Sequence, residues 1–250
     1  MRAVLTVVAA VIAAARPAAA DPDGGRVLTA PTAWLPAAGA ATATLGIDHR
    51  GDGTAIASYG LGGLAEVELD HDTDVRGCTD CTARPVALRL GRAAFRIGVR
   101  QGGWTPALVL GVRATFAAYE PPVGEPRVTD AYAVASRDLG VVRLHAGIDA
   151  ISAGASGHRA AARLRPLAGL EIHPPMYPRS SLLTDVAWQP ELRDAGDIPL
   201  GWMLGVGVRY QAFSWASVEL AVRARQGEDL GASTVMVRVN AIARPRPPRP

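Results

Sequence analysis

Apolar and polar residues alternate with a period of two through most of the chain, the pattern of half-buried strands. Trp202, Leu204, Val206, Val208 and Tyr210 share one face of a segment, with Met203, Gly205, Gly207, Arg209 and Gln211 opposite. Val218, Leu220, Val222 and Ala224 stand against Ser217, Glu219, Arg223 and Arg225. Val235, Val237 and Val239 stand against Thr234, Met236, Arg238 and Asn240. The same alternation runs through Phe95–Ile97–Val99, Leu144–Ala146–Ile148, Leu164–Ala168–Leu170 and Ala65–Val67–Leu69. Thirteen strand segments emerge: 40–48, 53–61, 64–71, 84–91, 93–100, 106–119, 128–136, 141–150, 161–172, 180–189, 200–211, 214–226 and 231–241. Gly62-Gly63 and Gly91-Arg92 read as tight turns; thirteen is an odd count, so either one segment is wrongly assigned or Gly25 to Leu28 adds a short strand.

Alternation suits a soluble β-sandwich as well as a membrane barrel. A sandwich needs bulky residues to fill the space between its sheets. Here the apolar faces are mostly Ala, Val and Leu, with only 3 Phe in the chain, and the polar faces carry charges near strand centres. Lipid accepts a smooth apolar surface, and a wet lumen accepts paired arginines and carboxylates. Aromatics also gather at segment ends. Trp202 and Tyr210 are eight residues apart on one face, roughly 20 Å along the membrane normal for a tilted strand, near the ~25 Å apolar band of an outer-membrane barrel. Trp104, Tyr119, Trp188, Trp202, Tyr210 and Trp215 are therefore read as aromatic girdles. The expectation is an all-β chain forming a single antiparallel transmembrane β-barrel. Single-chain bacterial barrels have even strand numbers, so about 12–14 strands are expected.

The inward face is then charged. Its predicted lining is Glu66, Glu68, Asp70, Arg89, Arg96, Arg100, Arg113, Arg143, His145, Asp149, Arg163, Arg165, Glu171, Arg209, Glu219, Arg223, Arg225 and Arg238. All 26 basic residues are arginine, and the net charge is +3. Setting aside Arg2 and Arg16 near the start and Arg244, Arg246 and Arg249 near the end leaves fewer arginines than the 23 acids. A nucleic-acid partner is not supported. Met1-Arg2, the apolar run Ala3 to Ala15 and the Ala-x-Ala site ending at Ala20 read as a signal peptide, residues 1–20. The barrel is placed at 21–242 and a Pro/Arg-rich tail at 243–250, in the outer membrane with its lipid as partner.

Catalytic motifs are sparse. Cys78-Thr79-Asp80-Cys81 lies between strand patterns with no helix to lower a thiol pKa, so a loop disulfide between Cys78 and Cys81 is expected. Glu66, Glu68, Asp70, Asp72 and Asp74 concentrate five carboxylates that could hold a divalent cation through oxygen; the spacing is not that of an EF-hand, and the favoured reading is lumen lining beside arginines. Gly154-Ala155-Ser156-Gly157-His158 misses the G-x-S-x-G spacing of a nucleophile elbow and reads as a loop. The five histidines lack ligand spacing. No cofactor, metal or catalytic residue is assigned.

Three stretches resemble the YjbH-type family of outer-membrane β-barrel proteins. Pro31-Thr32-Ala33-Trp34-Leu35-Pro36-Ala37-Ala38-Gly39 is similar to that family's opening segment. Ala131-Tyr132-Ala133-Val134-Ala135-Ser136-Arg137-Asp138-Leu139-Gly140 is similar to its hairpin, and Gly205-Val206-Gly207-Val208-Arg209-Tyr210 with Val218-Glu219-Leu220 to its strand pairs. The resemblance implies a non-enzymatic barrel linked to exopolysaccharide production, with polysaccharide or export-system proteins as partners. It carries no catalytic residues across. The competing expectations are an outer-membrane enzyme acting on lipid or glycan, which needs a Ser/His/acid set on one lumen layer, and a secreted soluble β-sandwich.

Overall fold

The computed structural model describes residues 25–78, 85–102, 104–119, 124–193 and 198–245. The expected leader 1–20 and the end of the tail, 246–250, lie outside them. Twelve antiparallel strands close into a barrel: β1 (Ala41–Asp48), β2 (Gly53–Leu61), β3 (Ala65–Asp72), β6 (Arg89–Val99), β7 (Ala107–Tyr119), β8 (Arg127–Asp138), β9 (Val142–Ala155), β11 (Arg163–Ile172), β12 (Ser180–Arg193), β13 (Leu200–Phe213), β14 (Ala216–Arg225) and β15 (Thr234–Ala243). Closure joins β15 to β1 from Ala41↔Ala243 to Asp48↔Met236. Closure leaves no open sheet edge, which lipid would not tolerate. Three short strands are accessory: β4 (Arg76–Cys78), β5 (Val86–Ala87) and β10 (His158–Arg159). The sandwich expectation is overturned: there is one closed sheet, not two packed ones.

Thirteen expected segments become twelve strands through a single correction. The expected break between 84–91 and 93–100 at Gly91-Arg92 is absent: β6 is continuous from Arg89 to Val99. The glycine marks a β-bulge instead of a turn. Gly91 pairs with Ala117 and Arg92 with Thr115, so Phe116 is the extra residue on β7. A Cβ on Gly91 would stand 3.1 Å from the Phe116 ring. Of the two ways to an even count, the wrongly assigned segment is the one found; Gly25 to Leu28 belongs to no barrel strand and lies inside the lumen.

Outward positions are apolar and exposed to the surroundings, as for Ile47, Leu69, Phe95, Leu110, Ile148, Leu164, Val206, Leu220 and Val237. Such a surface around a whole barrel is stable only against lipid. Among the described residues no helix is long and apolar enough to cross a membrane.

The rim that carries the barrel's first and last strand ends has connections of two to seven residues; at the other rim they run from four to sixteen. That asymmetry places the short-turn rim on the periplasmic side. The longest connection spans 73–88, and its described parts, 73–78 and 85–88, lie over the far mouth. Its β4 extends β12 in parallel, Glu191↔Arg76 to Arg193↔Cys78, and β5 pairs with β4. Val75, Leu88, Leu90, Val128, Ile151, Leu192 and Ile198 form a buried apolar cluster beneath it. Arg76 pairs with Glu228, and Arg223 with Asp74. Burial opposes the charge of Asp74, but Arg223 and Arg225 outweigh it and hold the carboxyl below its usual range.

Candidate functional site

The lumen is filled by the chain's own residues 25–35. This segment makes a tight turn: Arg26 bridges Pro31, the Val27 N–H donates to the Ala30 carbonyl (3.0 Å), and that of Thr32 to the Gly25 carbonyl (2.8 Å). Val27, Ala30 and Thr32 are 0% exposed. The barrel wall grips the backbone of this plug. Asp185 Oδ2 accepts the N–H groups of Leu28, Thr29 and Ala30 at 3.0, 2.5 and 2.7 Å. Consecutive N–H groups converging on one oxygen make an anion nest, here built for an internal carboxylate. Arginines take the carbonyls: Arg238 donates to Leu28 (2.5 Å), Arg209 to Val27 (3.2 Å) and Arg96 to Thr32 (3.2 Å). Gly205 makes the approach possible, since a Cβ there would lie 2.5 Å from Asp185 Oδ1 and 3.0 Å from the Leu28 side chain. On its other side the plug packs Ala30, Ala33, Trp34 and Leu35 against Val109, Tyr132, Val134, Leu167 and Ala187.

Around the plug, the charges pair across strands. Arg209 lies opposite Glu219, and Glu219 opposite Arg238, one rung across β13, β14 and β15 at 2.7 Å per contact. Glu66 faces Arg96, Arg113 faces Asp130 at 3.0 Å, and Arg92 meets Asp70 at 3.1 Å and also Asp72. Arg26 reaches from the plug to Glu68 and, at 2.9 Å, to Asp70. Directly opposed opposite charges are the favourable cross-strand arrangement, and buried charges are retained only when paired. The acidic run is thereby taken up by arginines. Among the described residues no group of His, Cys, Asp and Glu is placed to hold a metal ion.

One layer near the periplasmic end brings together serine, histidine and acid. Ser136 lies opposite His145, with Oγ 2.7 Å from Nδ1, and His145 Nε2 is 3.3 Å from Glu171 Oε1. The Ser136 hydroxyl also accepts the Ala33 N–H at 2.7 Å, and Trp34 meets the His145 ring edge-on at 6.3 Å. All three side chains are buried under the plug.

Of the residues read as lumen lining, Glu66, Glu68, Asp70, Arg96, His145, Glu171, Arg209, Glu219, Arg223 and Arg238 are buried inside. Arg113, Arg143, Asp149, Arg165 and Arg225 are partly buried on the inward side. Three positions need correction. Arg89 shares the outward face of Phe95 and Ile97, because β6 is continuous. Arg100 lies past the end of β6 and is exposed, with Nε 3.3 Å from the Gly63 carbonyl. Arg163 begins β11 and is exposed at the opposite rim. The expected water-filled interior is instead occupied by residues 25–35. Sequence reading missed Arg26, Arg92, Asp130, Ser136 and Asp185. Asp185 left one signal, an acid between Leu183 and Ala187 on a face that turns inward.

The six girdle aromatics divide between the rims. Tyr119, Trp188 and Trp202 stand toward the long loops, with Trp188 directly opposite Trp202. Trp104, Tyr210 and Trp215 stand toward the short turns, where Trp215 stacks on Phe213 at 5.4 Å. Ser156 and Gly157, both at positive φ, form a two-residue hairpin turn between β9 and β10 rather than a nucleophile elbow. Cys78 ends β4 and is buried; the expected pairing falls on Cys81, outside the described residues.

No protein-family model matches the chain, and no curated protein does. Among solved structures it is similar to a KdgM porin, with TM-score 0.50, 5% identity, and coverage of 83% of this chain and 99% of that one. OmpTΔL8, an outer-membrane protein of Vibrio cholerae, aligns with TM-score 0.42 and 13% identity over 76% and 63% of the two chains. Outer membrane phospholipase A from Escherichia coli aligns with TM-score 0.41 and 10% identity over 84% and 98%. At such identity the likeness to the porin concerns the fold alone. The chain is a closed, twelve-stranded barrel of the outer-membrane kind.

Proposed function

We propose that this outer-membrane barrel is a non-enzymatic conduit of the YjbH type, stoppered at rest by residues 25–35, and that it serves envelope polysaccharide export or surface organisation. The observation that carries the reading is how the stopper is held. Asp185 and four arginines bind its backbone, and one apolar wall receives its side chains. A hydrogen-bonded plug of so few residues can leave without unfolding the barrel.

The test is conductance in planar bilayers. The intact chain is expected to open rarely. Asp185→Leu, which removes the acceptor of three N–H groups, is expected to raise the open fraction at least tenfold while the folded band on unboiled gels persists. Closed behaviour in both chains would sink the conduit reading. Loss of surface polysaccharide on deleting the gene, restored by the intact chain, tests the export role separately.

A second reading, an enzyme on lipid or glycan, draws support from the Ser136–His145–Glu171 layer. The hydrogen bond from Ala33 to the Ser136 hydroxyl favours a latch on the plug instead. Labelling of Ser136 by a fluorophosphonate in the Asp185→Leu chain would reverse that preference.

A further inference from the structure

At the long-loop rim, the outward face of the barrel carries two arginines on one rung across β8, β9 and β10. Arg127 on β8 lies opposite Gly154 on β9, and Gly154 lies opposite Arg159 on β10. Directly opposed residues point to the same side of a sheet, so both arginines flank a position without a side chain. With strands about 4.8 Å apart, their backbones are about 10 Å from each other. Both arginines are exposed. Among the described residues, the acid set against this pair is Glu125, 3.5 Å from Arg127 in an ion pair open to solvent on both sides. A pair so exposed is worth little and yields readily to a stronger anion.

Below this row the face changes in steps. The next outward rung is Thr129 opposite Ser152, then Ala131 opposite Ala150, then Ala133 opposite Ile148. Charge gives way to hydroxyl and then to alkyl over three rungs, the order of a membrane interface. The outward side chains of β8 below the hydroxyl are only Ala131, Ala133 and Ala135. Beside them stand Leu108, Leu110 and Val112 of β7 and Leu144 and Ile148 of β9, all exposed. A shallow groove, one strand wide, therefore runs from the arginines down into the apolar band.

We propose that Arg127 and Arg159 clamp a phosphate of a phosphorylated glycolipid in the leaflet facing the long loops, with an acyl chain lying along the alanines of β8. Arginine's planar fork is suited to bind phosphate bidentately, and two forks over a glycine leave room for a tetrahedral anion. The acyl groove excludes free phosphate as the intended occupant, because only a lipid uses both parts.

The test is native mass spectrometry of the full chain, together with binding to phosphatidylethanolamine vesicles doped with bisphosphorylated lipid A or with lipid A lacking both phosphates. The intact chain is expected to retain one bisphosphorylated lipid and to favour it at least tenfold. Arg127→Gln combined with Arg159→Gln should abolish that preference. Gly154→Leu keeps both charges but sets a Cβ 2.9 Å from the His158 carbonyl oxygen, so it shifts the β9–β10 hairpin and crowds the space between the forks; it should weaken the preference as well. Arg137→Gln, at the opposite rim against Trp104, should leave it unchanged. Equal retention of phosphorylated and dephosphorylated lipid would overturn the proposal. So would competition by millimolar inorganic phosphate, or equal binding of phosphatidylglycerol. If the double variant does not assemble, Gly154→Leu alone decides: an undiminished preference would overturn the clamp.

Discussion

Val206 and Arg209 stand three residues apart on β13, yet they belong to different chemical worlds. Val206 is 54% exposed on a face where neighbours need only be apolar; Arg209 is 5% exposed and touches named partners on two other strands and on the plug. The exterior is specified by character and the interior by identity. Lipid conforms to whatever smooth surface it meets, whereas the interior must satisfy each charge and each backbone group with a particular partner. The two faces should therefore answer mutation by different rules.

The largest effect is expected where the interior is most connected. Arg92 faces Asp70, Asp72 and, at 4.0 Å, Asp130. Replacing it with Leu leaves carboxylates buried without that partner, a change that costs about 3–5 kcal/mol when a buried ion pair loses one member. Urea unfolding of the barrel in vesicles should register that loss. A loss below about 1 kcal/mol would mean that the interior tolerates Arg92→Leu as a surface would, and the contrast between the faces would fail.

An exterior counterpart is Val206→Arg. An arginine facing lipid near the bilayer midplane costs roughly 2–4 kcal/mol in a barrel. The same assay should show it, together with less folded protein on unboiled gels. Swapping in Leu or Ile at Val206 should cost almost nothing, since only character counts there. If Val206→Arg is neutral, that face does not meet hydrocarbon.

This division also explains what could be read from the chain. Period-two alternation is local, so it exposed the strands and their lipid face directly, including the side assignment of Val206, Val208 and Arg209 on β13. Which arginine meets which acid depends on register between strands, and Arg209–Glu219–Arg238 is a rung only once β13, β14 and β15 are aligned. Gly91 misled because one glycine serves both a turn and a bulge, and the error carried Arg89 to the wrong face and hid Arg92 in a false turn. The plug was out of reach for another reason. Residues 25–35 have no periodicity, and their place comes from backbone groups meeting Asp185, Arg209, Arg223 and Arg238 over 150 residues away in the chain, and Arg96 nearer by.

The smallest effect is the sharpest comparison, because it uses one substitution on both faces. Ala107 is 0% exposed and packs in the apolar cluster against the plug, while Ala131 lies on the outward face of β8. Ala107→Leu adds three carbons to a filled space and should cost about 1–3 kcal/mol through displaced neighbours. It should also raise conductance, since the cluster it overfills includes Ala30 and Ala33 of the plug. Ala131→Leu adds the same atoms where lipid simply moves aside, so stability should stay within about 0.5 kcal/mol. The added side chain would nevertheless obstruct the alanine groove, so the preference for phosphorylated lipid should fall although the fold is untouched. Equal destabilisation at the two sites would show that the outward face of β8 is packed against protein, and both the lipid-facing assignment and the groove would have to be given up together.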